Sequence, residues 1–218
     1  MYFIKSPYLL RKITGKSIIW EMPKGEKQIF LTFDDGPVPE ITPDVLKLLS
    51  EFQVKVTFFC VGENLQKYPY LLDQILENGH SVGCHTFNHL NGWKTSNKDY
   101  IENIRKCESF VQTRLFRPPY GKVTPAEINL LKDRYFTVLW TVLSGDFDQK
   151  ITGEQCLQNV VNNTKDGSIV VFHDSIKAKE RVMHALPRFI EHFLAKGFSF
   201  ESINQDTLLE YNVLIRNY

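Results

Sequence analysis

Short apolar runs alternate along this chain with longer segments whose apolar residues recur every three or four positions. Runs at 28–33, 54–60, 81–84, 136–142, 168–172 and 198–201 predict strands, and "RLFRP" at 114–118 is a shorter candidate. Segments at 42–52, 65–78, 98–112, 124–133, 153–164, 179–196 and 205–211 predict helices. Thr42 before Pro43 and Thr124 before Pro125 each put a hydroxyl where first-turn N–H groups lack partners and a proline where no N–H is needed; Glu127 adds a capping box. Asn78-Gly79 and Lys196-Gly197 end helices, because glycine enters the left-handed conformation freely. The alternation runs without a linker and predicts a parallel sheet covered by helices. About seven strand–helix steps exceed what an open sheet usually needs, so the expected fold is an α/β, distorted (β/α)7–8 barrel, with chemistry at the carboxyl ends of the strands.

A length of 218 residues with 43% hydrophobic residues suits one domain with one large core. Residues 1–27 are expected to form an N-terminal extension packing on a barrel of residues 28–218. Lysine and arginine number 26 against 25 acidic residues, so no overall field favours nucleic acid. Cys60, Cys84, Cys107 and Cys156 form no CxxC pair and read as free, buried thiols rather than a disulfide framework. The opening "MYFIKSPYLLRKITGKSIIW" lacks a signal-type apolar core and nothing later is a membrane span, so a soluble, cytoplasmic chain is expected. Lys5, Arg11, Lys12 and Lys16 interleave with apolar residues there, as in a solvated helix or arm. A monomer is the working oligomeric state.

Polar clusters follow the predicted strands. "TFDDGP" sets Asp34 beside Asp35, and adjacent like charges are best understood where a cation or a proton separates their roles. In "CHTFNH", His85 and His89 are four residues apart, so a helical turn would aim both imidazoles at one point; with Asp35 they make a facial metal set that leaves a position for water. "RPPY" offers the guanidinium fork of Arg117 to a carboxylate, and its prolines stiffen a loop that presents the Tyr120 N–H. "SGDFD" and "VVFHD" end two further strands, and Asp146 with His173 suggests a carboxylate orienting and charging a general acid.

Taken together these motifs resemble the NodB-homology polysaccharide deacetylases, carbohydrate esterase family four. "TFDDGP" matches that family's first motif, "HTFNH" its His-(Ser/Thr)-x-x-His, "RPPY" its Arg-x-Pro-Tyr, and Val170-x-x-His173 its Leu-x-x-His. The fourth motif, often Asp-x-x-Asp-Trp, departs: Leu143 and Phe147 replace its first Asp and its Trp, while Asp146 remains. The resemblance implies a distorted barrel that removes N-acetyl groups from an acetylated amino sugar or polysaccharide. It makes Asp35, His85 and His89 the ligands of one divalent metal, zinc first, with cobalt, nickel or manganese as alternatives. Asp34 becomes the base, Arg117 its clamp, the Tyr120 N–H an oxyanion donor, and His173, charged by Asp146, the acid. Tyr120, Pro118, Trp140, Phe147 and Phe172 are the expected substrate-facing residues. Two rivals stand beside this reading: the same site acting on O-acetyl esters or small cyclic amides, and a non-catalytic carbohydrate-binding barrel.

Overall fold

The computed structural model describes residues 2–14, 17–204 and 207–208. Strand β1 (Gln28–Asp34) lies at the centre, and every residue after Gln28 is buried, as expected of a strand covered on both faces. It pairs in parallel with β7 (Ser168–His173) from Ile29 to Asp34 and with β2 (Thr57–Cys60) from Thr32 to Asp34. The sheet continues through β3 (Ser81–Cys84), β4 (Leu115–Phe116), β5 (Phe136–Thr137) and β6 (Val142–Leu143) in the order β5-β4-β3-β2-β1-β7-β6, while β8 (Ser199–Phe200) pairs with the start of β1. All these pairings are parallel, and the curled sheet is the distorted (β/α) barrel of the sequence reading.

The run 136–142, expected as one strand, is two strands at opposite ends of the sheet. The chain changes partner within it: the Val138 N–H bonds the Phe116 carbonyl (2.8 Å) on one edge, and the Thr141 N–H bonds the Ile169 carbonyl (3.0 Å) on the other. An apolar run cannot disclose that switch. The N-terminal residues lie along this seam. Ile19 donates to the Thr137 carbonyl and accepts from the Leu139 N–H, both at 2.8 Å, while the Leu143 N–H bonds the Ile4 carbonyl at 2.8 Å. Ile18, Ile19, Trp20 and Met22 are buried there. Helix α1 (Tyr8–Thr14) turns its polar side inward, with Arg11 bonded to Glu21 (2.8 Å) and Thr14 accepting from the Trp20 indole (2.8 Å), while Tyr8, Leu9 and Ile13 are exposed.

Around the sheet run α2 (Thr42–Glu51), α3 (Gly62–Lys67), α4 (Pro69–Glu77), α5 (Asn97–Glu108), α6 (Pro125–Leu131), α7 (Gly153–Asn163) and α8 (Lys179–Leu194). The single helix expected at 65–78 is broken because Pro69 drives Tyr68 out of the helical region, to φ −130°, ψ 59°. The capping box of Thr124 and Glu127 is formed. Thr42 caps nothing: it is the first residue of α2, and its hydroxyl donates to Asp174 (2.6 Å) instead. Helix α8 runs through Pro187, whose cost of ~3 kcal/mol is outweighed by burying Val182, Leu186, Phe189, Ile190 and Phe193 at ~1.5–3 kcal/mol each. Of the helix expected at 205–211, only Thr207 and Leu208 fall within the described residues, and both are helical. All four cysteines are buried and free. Among the described residues, no helix is long and apolar enough to cross a membrane.

Phe172, expected to face substrate, has no exposed surface; its ring lies 6.2 Å from Phe33 and 6.0 Å from Phe189. Its position on β7 turns it toward α8 and the core rather than the cleft. Phe172→Ala should therefore cost ~3–5 kcal/mol in urea unfolding, and a loss below ~1 kcal/mol would contradict this placement.

Candidate active site and metal centre

The first strand ends on Asp34, and the chain then turns sharply, with Asp35 in the left-handed region at φ 78°. The Asn64 side-chain amide holds that turn by donating to the Asp35 carbonyl (2.8 Å). The turn sends the two carboxylates to different partners. Asp34 is buried and accepts from Arg117 Nη1 at 2.7 Å, whereas Asp35 Oδ1 lies 3.1 Å from His89 Nε2 and 3.8 Å from His85 Nε2.

The imidazoles converge without the helical turn that their spacing suggested. Residues 85–89 form a loop in which Thr86 (φ 61°) and His89 (φ 55°) are left-handed, and the two ring centres end 5.1 Å apart. The Thr86 hydroxyl closes that loop by accepting from the Leu90 N–H (3.0 Å). His85 Nδ1 contacts the Arg117 carbonyl at 2.8 Å. A carbonyl can only accept, so Nδ1 carries the proton and Nε2 keeps its lone pair toward Asp35. Burial, against the pull of Asp34, brings the His85 pKa down to about 4, which favours the neutral ring a metal requires. Burial pushes Asp35 upward, but the His89 hydrogen bond and the neighbouring imidazoles hold it far below the usual carboxylate range. The three ligand atoms lie within 4.8 Å of one another. Donors bound at ~2.0–2.1 Å in a tetrahedron stand ~3.3 Å apart, so this set fits a zinc-sized ion.

Arg117 is fully buried. Its Nε donates to the Val138 carbonyl (3.1 Å), Nη1 to Thr32 Oγ1 and Asp34 Oδ1 (both 2.7 Å), and Nη2 to the Leu139 carbonyl (3.2 Å). The guanidinium also lies over the Phe59 ring at 4.0 Å. Opposite, Asp146 Oδ1 meets His173 Nδ1 at 2.7 Å, while Oδ2 accepts the His173 backbone N–H at 2.6 Å. Burial alone would lower the His173 pKa, but the charge and hydrogen bond of Asp146 override it and raise it to about 9. Phe147 lies edge-on to this imidazole with centres 5.1 Å apart, and Tyr2 lies 4.9 Å beyond Phe147.

Tyr120 is exposed, left-handed (φ 61°), and its hydroxyl lies 3.1 Å from His89 Nδ1. Trp140 is half-buried, with its ring against Gly121. Pro118, expected to face substrate, is buried, and it serves the turn by accepting the Gly121 N–H (3.0 Å). Four polar partners were not singled out from the sequence. Asn64 and Thr32 hold the Asp35 turn and Arg117. Lys177 Nζ lies 3.4 Å from Asp35 Oδ2. Asp174 is fully buried and accepts from the Gly36 N–H (3.1 Å) and Thr42; burial, then Asp35, raises its pKa to about 8 despite the Thr42 hydrogen bond. A side chain at Gly36 would strike Asp174, with a Cβ 1.9 Å from Oδ2, so glycine is required by close approach. The signal for Asp174 was its place directly after His173.

Comparison with known proteins fits this geometry. Residues 21–139 match the family model described as polysaccharide deacetylase. The chain belongs to that family. The match begins inside the segment expected to be an extension. A peptidoglycan-N-acetylglucosamine deacetylase of Bacillus cereus is 36% identical over 201 residues, covering 89% of this chain and 93% of the relative. A chitooligosaccharide deacetylase of Azorhizobium caulinodans is 31% identical over 168 residues, covering 73% of this chain and 80% of the relative. A peptidoglycan N-acetylglucosamine deacetylase solved with 4-naphthalen-1-yl-N-oxidanyl-benzamide superposes with TM-score 0.83 at 28% identity, covering 88% of this chain and 93% of that one.

In this family member, then, a polysaccharide deacetylase scaffold carries a buried cation–carboxylate pair beside a carboxylate–imidazole cluster. Removing one partner of a buried pair strands the other, so Arg117→Ala should cost ~3–5 kcal/mol in chemical denaturation. A variant as stable as the wild type would contradict the clamp.

Proposed function

We propose that the protein is a metal-dependent hydrolase that removes N-acetyl groups from an acetylated amino-sugar polymer. The observation that supports this best is the separation of the two neighbouring carboxylates, one toward two imidazoles and the other toward a buried arginine. Asp35, His85 and His89 would hold one divalent ion, for which zinc, cobalt, nickel and manganese all accept such nitrogen and oxygen donors and zinc is the first choice to load. When bound, that ion supplies Lewis-acid polarisation of the amide carbonyl and acidifies water.

The chain's own groups do the rest. Asp34, aimed by Arg117, accepts the proton of the attacking water as oxygen bonds to the acetamide carbon. The Tyr120 N–H donates to the oxygen that becomes negative, an interaction of the kind worth ~3–4 kcal/mol in other hydrolases. His173, held protonated by Asp146, gives its proton to the departing amine as the C–N bond breaks. Trp140 and Phe147 would wall the cleft with aromatic surface, as a sugar site requires. An ester's leaving alcohol needs less help from an acid than an amine does, so an O-acetyl esterase on this site would tolerate loss of His173. The built Asp146–His173 pair favours the amide, and its completeness also argues against a non-catalytic barrel.

Acetate release from N-acetylglucosamine oligomers by zinc-loaded protein tests the reading. Asp35→Ala or His89→Ala should leave metal content at background after dialysis and abolish turnover; full metal with full activity in either would contradict the ligand set. His173→Ala should keep its metal and lose ~10²–10⁴ in kcat. Because the His173 pKa is raised above its ordinary value to about 9, the acid is present at neutral pH and is lost as pH rises through that value. The wild-type kcat should therefore fall on that alkaline limb. Asp146→Asn removes the main upward influence, so the limb should move to lower pH; an unmoved limb would separate Asp146 from the acid.

A further inference from the structure

The short turn after the second metal-site histidine carries an indole that the sheet does not use. Trp93 is 65% exposed, yet it is held firmly: its backbone N–H bonds Asn91 Oδ1 (3.0 Å), and its Nε1 donates to the Val123 carbonyl (3.3 Å). Gly92 beside it is pressed against the Tyr120 loop, since a Cβ there would lie 2.7 Å from both Glu127 Oε2 and the Lys122 carbonyl. Glu127 is itself buried and fixed by its capping box with Thr124. The loop bearing His89 and the loop bearing Tyr120 are thus riveted together, and Trp93 stands on the joint.

Its neighbours extend the site. Lys122 Nζ lies 5.3 Å from the Trp93 ring centre and 6.0 Å from that of Tyr120, whose hydroxyl reaches His89. Two exposed aromatic faces, with an ammonium between them, therefore run outward from the candidate metal centre. Fixing a large ring that stays mostly in water costs entropy and gains little burial, unless something flat and partly apolar lies on its open face. The C–H face of a pyranose has that character, and its hydroxyls and acetamido oxygen accept from an ammonium.

We propose that Trp93, Tyr120 and Lys122 form a subsite for a pyranose ring flanking the one whose acetamide is cleaved. This rests on the deacetylase reading for its chemistry, but not for the binding itself. One lost aromatic contact corresponds to a weakening of ~5–10-fold. Trp93→Ala should raise the KM for an N-acetylglucosamine pentamer by that factor with kcat unchanged, and Trp93→Phe should recover part of it. An unchanged KM, or a fall confined to kcat, would overturn the subsite. Calorimetry of the metal-free protein with the same pentamer separates the two claims. Weaker binding by Trp93→Ala there supports the subsite even if the loaded wild type releases no acetate, which would count against the deacetylase reading alone. Equal affinity in both proteins, or no binding by the wild type, overturns the subsite whatever the activity.

Discussion

The fully buried guanidinium of Arg117 joins the sheet, the seam and the site. Desolvating a cation costs several kcal/mol, and here the cost is offset on every face: by Asp34, by Thr32, by the carbonyls of Val138 and Leu139, and by the Phe59 ring. Those two carbonyls belong to the stretch that carries the chain from one sheet edge to the other, so the cation ties the opening of the barrel to its central strand. The Arg117 carbonyl in turn fixes the tautomer of His85. One residue thereby aims the Asp34 carboxylate, turns the His85 Nε2 lone pair toward Asp35 and holds the seam.

Backbone strain gathers around the same point. Asp35, Thr86, His89 and Tyr120 all have positive φ, although none is glycine and left-handed backbone is costly for ordinary side chains. Each is held by hydrogen bonds, some tertiary and some local: Asn64 under Asp35, the Leu90 N–H to the Thr86 hydroxyl, the Tyr120 hydroxyl with His89, and the proline turn under Tyr120. Left-handed steps let three adjacent loops turn back toward one point, which extended or helical backbone would have carried past it. The site is thus preorganised by the fold, and the ordering cost is met on folding rather than at each encounter with substrate.

Much of this was legible in the chain. The first and seventh strands read clearly because both faces are covered and their apolar runs are unbroken. The Thr124 capping box read clearly because both of its partners are local. The candidate catalytic residues were legible as types and spacings, since each lies at or shortly after the end of a strand. Most of what the chain concealed was non-local. The Thr42 hydroxyl serves Asp174, 132 residues away, rather than its own helix. The run at 136–142 looks uniform, yet its partners lie on opposite sheet edges. Phe172 precedes a candidate acid and still faces the core, because alternation gives two faces without saying which is the cleft. The approach of His85 to His89 depends on left-handed residues that no spacing rule anticipates, and the indole of Trp93 gains meaning only once its loop is seen riveted to that of Tyr120.

The central claim is that one ion is gripped by a carboxylate oxygen and two imidazoles while the adjoining aspartate stays free for proton transfer. X-ray absorption at the metal edge of the zinc-loaded protein tests it most directly. The account predicts a nitrogen and oxygen shell at ~2.0–2.1 Å with multiple-scattering features of two imidazoles. A sulfur shell at ~2.3 Å, as Cys84 would give, or a single imidazole, would contradict it.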